Sequence, residues 1–210
     1  MTAEGHIDGA CEAPLALVLS GGGARAAYQI GFLRHVASRF PHLAPGILTG
    51  VSAGGMIAAA LASKDESFAD EMTRLSGIWS SLRIEDVFRV DPADLASRVM
   101  RWGLRLVSGG APGTPQARSL VDTSPLHALL CEALRPDGSG ALPGIARNLQ
   151  AGRLAAVALT ASSYTTGQSV TWIESREGCG MLTWDGTRRK SVPGCLRVNH
   201  VMASAALPLF

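Results

Sequence analysis

Two successive units near the start of the chain constrain its fold most strongly, because in each a short apolar run passes through a glycine turn into a helix-like segment. The first run, Leu15–Leu19, follows Pro14 and precedes three successive glycines at 21–23. A continuous apolar run bounded by turn residues is typical of a strand buried on both faces. We therefore predict a central strand here, followed by a helix over 24–40 that stops before Pro41.

The second unit repeats this plan. Ile47 and Leu48 form a short predicted strand, residues 50–54 the turn, and residues 55–63 an alanine-rich helix that must pack closely against its neighbours. Two such units in a row imply parallel strands joined by right-handed crossovers. The predicted fold class is α/β, a three-layer α/β/α arrangement around a mostly parallel central sheet.

The rest of the chain predicts further helices and strands of the same domain. Residues 68–82 are amphipathic, residues 153–161 and 169–174 are strand-like, and residues 184–187, Trp-Asp-Gly-Thr, predict a hairpin turn. A short helix is expected within the last thirteen residues, VNHVMASAALPLF. With 210 residues in all, one domain suffices. We expect residues 1–13 to form a disordered tail and residues 14–210 to form the domain.

The composition excludes several classes of protein. Apolar residues make up 47% of the chain, charged residues 17%, and the net charge is +2, which fits a globular protein and indicates no nucleic-acid partner. The four cysteines have no paired C-x-x-C spacing, so we expect them to be reduced. The N-terminus has no apolar signal region and no apolar run reaches the ~18 residues of a membrane span. A cytoplasmic protein is expected, although export without a cleaved leader would leave no trace.

Ser52 lies between Gly50 and Gly54 in a G-x-S-x-G pattern, where the second apolar run gives way to the alanine-rich helix. A serine hydroxyl is a weak nucleophile, so it has to stand exposed at a tight strand-to-helix turn, where a base can take its proton. Residues two before and two after it then approach each other too closely for side chains, and glycine at both places relieves the clash. A glycine-rich chain can also match this pattern by chance, but the strand-to-helix context favours a nucleophile elbow.

The glycines at 21–23 allow two interpretations. Gly21, Gly23 and Ala26 satisfy the G-x-G-x-x-A pattern of dinucleotide-binding folds, but that fold needs an acidic residue about 20 positions later, and none occurs between Glu12 and Asp65. A Walker A loop would also require a Gly-Lys-Ser/Thr sequence, which is absent. Alternatively, the glycines expose backbone N–H groups as an oxyanion hole, next to a cation.

Together these motifs resemble the patatin-like phospholipases, whose pattern is a G-G-G-x-R/K loop followed by a G-x-S-x-G serine. Here the two stretches are LSGGGARAAYQIGFL and, about 30 residues later, GVSAGG. Residues 119–126, SLVDTSPL, and 202–210, MASAALPLF, are also similar to bacterial members. The resemblance spans residues 15–210, with no matching motif over about 67–116.

The resemblance implies a hydrolase of acyl esters in phospholipids or neutral lipids, which acts through an acyl-enzyme. Ser52 would be the nucleophile, activated by an aspartate from a D-G-G or D-G-A motif in a Ser-Asp dyad without histidine. The oxyanion would be bound at the loop formed by Gly21, Gly22 and Gly23, through the amides of the last two, with Ala53 as a possible addition and Arg25 holding the loop or adding positive charge. No metal or organic cofactor is implied.

The sequence departs from the family pattern at the aspartate. The only D-G-A, at residues 8–10, precedes the first strand, and in the family the motif follows the A-S-x-A-x-P-x-x-F segment, whose phenylalanine is Phe210 here. We therefore expect a truncated domain that holds the nucleophile and the oxyanion loop without the base. Asp185 in its D-G-T sequence is better interpreted as a turn residue, and His200 has no evident acidic partner for a triad.

Two further hypotheses stay open at this point. A catalytically inactive lipid- or protein-binding remnant of the same fold is the alternative to an enzyme. The predicted helix over residues 91–107 places apolar residues beside Arg98, Arg101 and Arg105. That pattern suits either peripheral contact with an anionic membrane or packing on the core with solvated arginines.

Overall fold

In the computed structural model, which describes residues 15–88, 122–178 and 183–206, five strands form one sheet in chain order. The first three strands are mutually parallel, the fourth is antiparallel to the third, and the fifth is parallel to the fourth. The predicted α/β class with a mostly parallel sheet is therefore confirmed. The strands are β1 (Ala16–Leu19), β2 (Ile47–Val51), β3 (Ala156–Ser162), β4 (Ser169–Ser175) and β5 (Arg189–Pro193).

Helices flank the sheet and follow the two predicted strand-turn-helix units. A 3-10 turn over Gly23–Arg25 leads directly into the first α-helix. The helices in the described part of the chain are α1 (Ala26–Arg39), α2 (Ala53–Ser63), α3 (Phe68–Ser81), α4 (Ile84–Val87), α5 (Ser124–Leu134), α6 (Pro143–Gln150) and α7 (Val198–Ala205).

The alanine-rich α2 is the centre of the core. Ala58, Ala59 and Ala62 are fully buried, because small side chains let neighbouring elements approach the helix closely. At Gly144 of α6 an added Cβ would overlap the backbone carbonyl of Ser63 at the end of α2, so the two helices are in backbone contact there. The close packing predicted for this helix is present.

The first strand differs from its prediction as a central strand. Among the described residues β1 pairs only with β2, which places it at an edge of the sheet, and Val18 is 76% exposed. An apolar run indicates that a strand favours burial, but it does not specify which strands and helices pack against that strand. Leu19 on the opposite side of the strand is buried in the core, as expected.

Some predictions fall on residues that the structure does not describe. The tail over residues 1–13, and the helix with Arg98, Arg101 and Arg105, lie outside the described residues. The turn at residues 184–187 lies inside them: Gly186 N–H donates to the Arg189 carbonyl at 2.8 Å, and Asp185 bridges to Lys190 across the turn. The sequence predicts a hairpin turn here, and the turn lies at residues 186–189, two residues later than the predicted 184–187.

Candidate active site

Ser52 stands at the turn between β2 and α2 in a strained backbone conformation. Its φ is 55° and its ψ is −126°, a region that a residue with a side chain rarely occupies and that costs about 1–3 kcal/mol. Strain of this kind persists only where surrounding contacts impose it. It turns the chain sharply from strand to helix and leaves the Ser52 side chain half-buried, on the wall of a cavity.

The flanking glycines are required by two different close approaches. A Cβ added at Gly50 would overlap the backbone of Gly54 and Gly55, the mutual crowding expected of the turn. A Cβ added at Gly54 would instead overlap the carbonyl groups of Leu19 and Ser20. Gly54 therefore allows the start of α2 to pack against the end of β1, a contact between the two units that the local pattern does not show.

This contact brings the glycine loop beside Ser52. Leu19 and Gly50 are register partners in the parallel pair, so the segments that follow them leave the sheet side by side. At Gly21 an added Cβ would lie 3.2 Å from the Ser52 Cβ, tighter than nine in ten real Cβ contacts. The two predicted loops therefore meet.

Hydrogen bonds from the following 3-10 turn and helix hold the loop. The Gln29 side-chain amide donates to the Ser20 carbonyl at 2.9 Å, and Arg25 N–H donates to the Gly22 carbonyl at 3.1 Å. Gly23 has φ of 55°, a left-handed conformation that favours glycine. The loop thus has a defined path, with its last glycine lining the same cavity as Ser52.

Several groups near Ser52 suit stabilisation of a developing negative charge. The helix α2 begins at Ala53, so its first N–H groups have no partner within the helix and its positive dipole end lies next to Ser52. Gly23 and Ala53 both line the cavity. Arg25 is not among the residues that line the cavity; it is exposed and has no ion-pair partner in the described parts of the chain.

Ser204 of α7 stabilises the turn at Ser52 through hydrogen bonds, a role that the sequence did not indicate. Its Oγ accepts the Ser52 backbone N–H at 2.8 Å and donates to the Thr160 carbonyl of β3 at 2.6 Å, and the residue is 7% exposed. The hydroxyl therefore links α7, β3 and the elbow. Because this bond uses the Ser52 N–H, that group is not free to bind an oxyanion.

An apolar cavity of about 450 Å³ extends from Ser52. Ser52, Met56 and Ala60 line it at four-residue intervals, so it follows one face of α2 for about 12 Å at 1.5 Å per residue. The opposite wall consists of leucine, isoleucine and tryptophan side chains from α3 and α5. Among the described residues of the lining, polar side-chain groups are confined to Ser52, Trp79, Arg83 and Thr123.

A profile described as "Patatin: Patatin-like phospholipase" matches residues 17–210. The chain belongs to the patatin-like phospholipase family. A solved structure titled "Crystal structure of type III effector protein ExoU" is similar to 75% of this chain at 20% sequence identity, with a TM-score of 0.37. This patatin-like chain spans 35% of the length of that protein. The search of curated proteins found no match to this chain.

Asp185 and His200, two residues that could in principle act as a substitute base, bond to other groups in the structure. Asp185 pairs with the Lys190 ammonium at 3.2 Å, as a turn residue. The His200 ring stacks on Trp172 with centroids 4.6 Å apart, and its Nδ1 accepts the Arg197 N–H at 3.2 Å. Burial lowers the pKa of His200, and the nearby charge of Arg197 lowers it further.

Within the described ranges, no hydrogen bond joins the Ser52 hydroxyl to a carboxylate or an imidazole, and no cluster of histidine, cysteine and acidic residues could hold a metal ion. The half-buried Glu174 accepts the Leu196 N–H at 2.6 Å, and desolvation raises its pKa. Glu174 pairs with Val157, toward the end of β3 away from Thr160.

None of the described helices is long and apolar enough to cross a bilayer.

Proposed function

We propose that this patatin-like phospholipase is a serine lipid acyl hydrolase with Ser52 as its nucleophile. One observation carries the proposal: the strained Ser52 faces the Gly21–Gly23 loop and lines an apolar cavity along α2. A strained serine at a strand-to-helix turn is the arrangement that exposes a hydroxyl for nucleophilic attack. An apolar cavity beside it suits an acyl chain better than a polar substrate.

The reaction would proceed through an acyl-enzyme. The Ser52 Oγ attacks the ester carbonyl carbon while its proton passes to a carboxylate base, and the carbonyl oxygen becomes an oxyanion. The N–H groups of Gly22 and Gly23 in the loop, and of Ala53 at the start of the helix, would bind that oxyanion. When the intermediate collapses, the bond to the leaving alcohol breaks and the alcohol takes the proton. Water, activated by the same carboxylate, then releases the fatty acid.

The proposed dyad needs an aspartate base from a D-G-G or D-G-A motif. This rests on the family pattern, in which the aspartate motif comes after the segment corresponding to residues 202–210. It agrees with the engagement of Glu174 and Asp185 away from Ser52. A longer polypeptide that includes this motif should hydrolyse esters much faster than residues 1–210 alone.

The proposed substrate is a phospholipid or another acyl ester. The cavity volume of about 450 Å³ lies within the usual range of ligand pockets, and its wall offers apolar contact over most of the surface. Most of the described lining is apolar, and Arg83 is the one cationic side chain among the described lining residues. The headgroup of the substrate would therefore remain outside while one acyl chain enters.

A second candidate function is lipid binding without turnover. It is favoured by the absence, in the described ranges, of a base hydrogen-bonded to the Ser52 hydroxyl. The two candidates differ in whether Ser52 is needed. Displacement of a fluorescent fatty acid by acyl esters would report occupancy of the cavity in both cases, whereas release of the alcohol product occurs only in an enzyme.

The direct test is hydrolysis of p-nitrophenyl esters and of lysophospholipid by the wild-type protein, Ser52→Ala and Ser63→Ala. Residues 1–210 are assayed alone and within any polypeptide that extends them with the aspartate motif. Removal of the nucleophile should reduce the rate by roughly a thousandfold or more. Ser63 is a matched control, because it is a buried serine of α2 whose hydroxyl bonds within its own helix. Equal activity of Ser52→Ala and wild type would overturn the assignment.

A further inference from the structure

The outward surface of α1 carries aromatic side chains where a solvated helix face would normally be polar. Tyr28 is 80% exposed and Phe32 is 58% exposed. At 100° per residue the two lie within 40° of each other, one turn apart. The buried residues of the same helix point to the opposite side: Ala26, Ile30, Leu33 and Ala37.

The same surface carries one full positive charge, on Arg39. His35 and Arg39 continue the stripe of Tyr28 and Phe32 along α1, and both are exposed. We define these four residues as the α1 outer face. No Asp or Glu occurs between Glu12 and Asp65, so α1 and the loops at its two ends contribute no acidic side chain to this surface.

The α1 outer face is fixed relative to the candidate active site. The helix begins directly after the Gly23–Arg25 turn. Its first turn is tied to the glycine loop because the amide of Gln29, next to Tyr28, bonds to Ser20 at 2.9 Å. A surface on which this helix rests would therefore lie close to the loop that faces Ser52.

We propose that the α1 outer face docks on the surface of an anionic phospholipid bilayer. Aromatic rings partition into the headgroup region of a bilayer, and cationic side chains are attracted to anionic lipids. A helix that combines the two on one exposed face has the features of an interfacial element. This inference deepens the proposed function, on which it rests, by naming aggregated lipid as the form in which the substrate is met.

Docking through α1 also gives the apolar cavity a route to its ligand. With α1 resting on the bilayer, the glycine loop that precedes it would be held close to the membrane surface. A short path to Ser52 would limit the exposure of an acyl chain to water, which is the unfavourable step for an apolar group. A protein partner for the same face is the competing explanation, and the test separates the two.

The test is co-sedimentation of the 210-residue chain with vesicles of phosphatidylcholine alone or mixed with phosphatidylglycerol. The variants are the double change Tyr28→Ser with Phe32→Ser, the single change Arg39→Glu, and Phe40→Ser as control. Phe40 is a comparably exposed aromatic residue, at 62%, but it follows the last residue of the helix, with non-helical backbone angles, and lies outside the stripe of the α1 outer face.

We expect wild type to bind mixed vesicles and both outer-face variants to bind at least about tenfold more weakly, with Phe40→Ser unchanged. Since all of these side chains are exposed, circular dichroism should show unchanged folding. Wild type that fails to bind mixed vesicles, or outer-face variants that bind as wild type does, would overturn the proposal and leave a protein partner as the explanation for the aromatic surface.

A second readout separates this proposal from the proposed function. Labelling of Ser52 by a fluorophosphonate in lipid-free buffer does not require docking. Outer-face variants that lose vesicle binding but keep labelling support docking. Intact vesicle binding without any labelling, in the longer form as well, overturns the hydrolase assignment and leaves docking in place.

Discussion

Substitution of Ser204 by alanine tests whether a distant helix holds the nucleophile elbow. The change removes the acceptor that lies 2.8 Å from the Ser52 N–H and the donor to Thr160. A buried amide left without a partner costs about 1–3 kcal/mol. The strained φ of Ser52 costs a similar amount. Without Ser204 the elbow can therefore relax toward an unstrained conformation, which displaces the hydroxyl.

We expect Ser204→Ala to lower the free energy of unfolding by about 1–3 kcal/mol, measured by urea denaturation. We also expect slower reaction of Ser52 with a fluorophosphonate, by roughly tenfold to a hundredfold, because small misplacements of a reacting group are costly. Labelling is measured on the form of the protein that hydrolyses esters, and unfolding on the same form.

Ser63→Ala is the control for loss of a buried serine hydroxyl. Its Oγ donates to the Ala59 carbonyl of the same helix at 2.7 Å and touches no part of the elbow. This variant should retain the labelling rate of wild type. If Ser204→Ala also labels at the wild-type rate with unchanged stability, the elbow does not depend on α7 and the reasoning is refuted.

Three further substitutions test the cavity, the turn and a titrating side chain. Ala60→Phe should fill the far part of the cavity and depress hydrolysis of long-chain p-nitrophenyl esters more than that of the acetate; an equal effect on both would contradict an acyl site. In denaturant melts, Gly54→Ala should destabilise by about 1–3 kcal/mol or more through backbone overlap, whereas Gly77→Ala, in open space on α3, should stabilise by about 0.5–1 kcal/mol. The pKa of His200 in the folded state is lowered below its usual 6.5. The contribution of the neutral imidazole to the free energy of unfolding is therefore fully present above pH 6.5 and is lost as the pH falls through the folded-state pKa. His200→Gln should show a smaller loss of stability below pH 6.5 in denaturant melts.

The local features of the site were accessible from the sequence because they depend on neighbours in the chain. A serine between glycines at a strand-to-helix change specifies a tight turn, and the structure has that turn at Ser52 with φ of 55°. The same logic gives α1 and α3 nearly to the residue, since hydrophobic spacing and flanking breakers are local. The alanine content of α2 likewise predicts its close packing.

The features that depend on long-range contacts were not accessible. Ser204 lies 152 residues from Ser52 in the chain. The family resemblance includes residues 202–210, but nothing in the local sequence distinguishes Ser204 from another serine in an alanine-rich segment. Glycine is required at position 54 because of its close contact with Leu19 and Ser20, and this contact follows from the pairing of β1 with β2. The edge position of β1 also follows from tertiary pairing, which an apolar run does not record.

The central claim is that Ser52 is a nucleophile, and covalent labelling measures this most directly. Trypsin releases Ser52 in the peptide covering residues 40–64, which also contains Ser63 as an internal comparison. After reaction of the ester-hydrolysing form with a fluorophosphonate, fragment ions should place one adduct on Ser52 and none on Ser63, and Ser52→Ala should give no adduct. An adduct on another residue, or labelling that survives Ser52→Ala, would contradict the account.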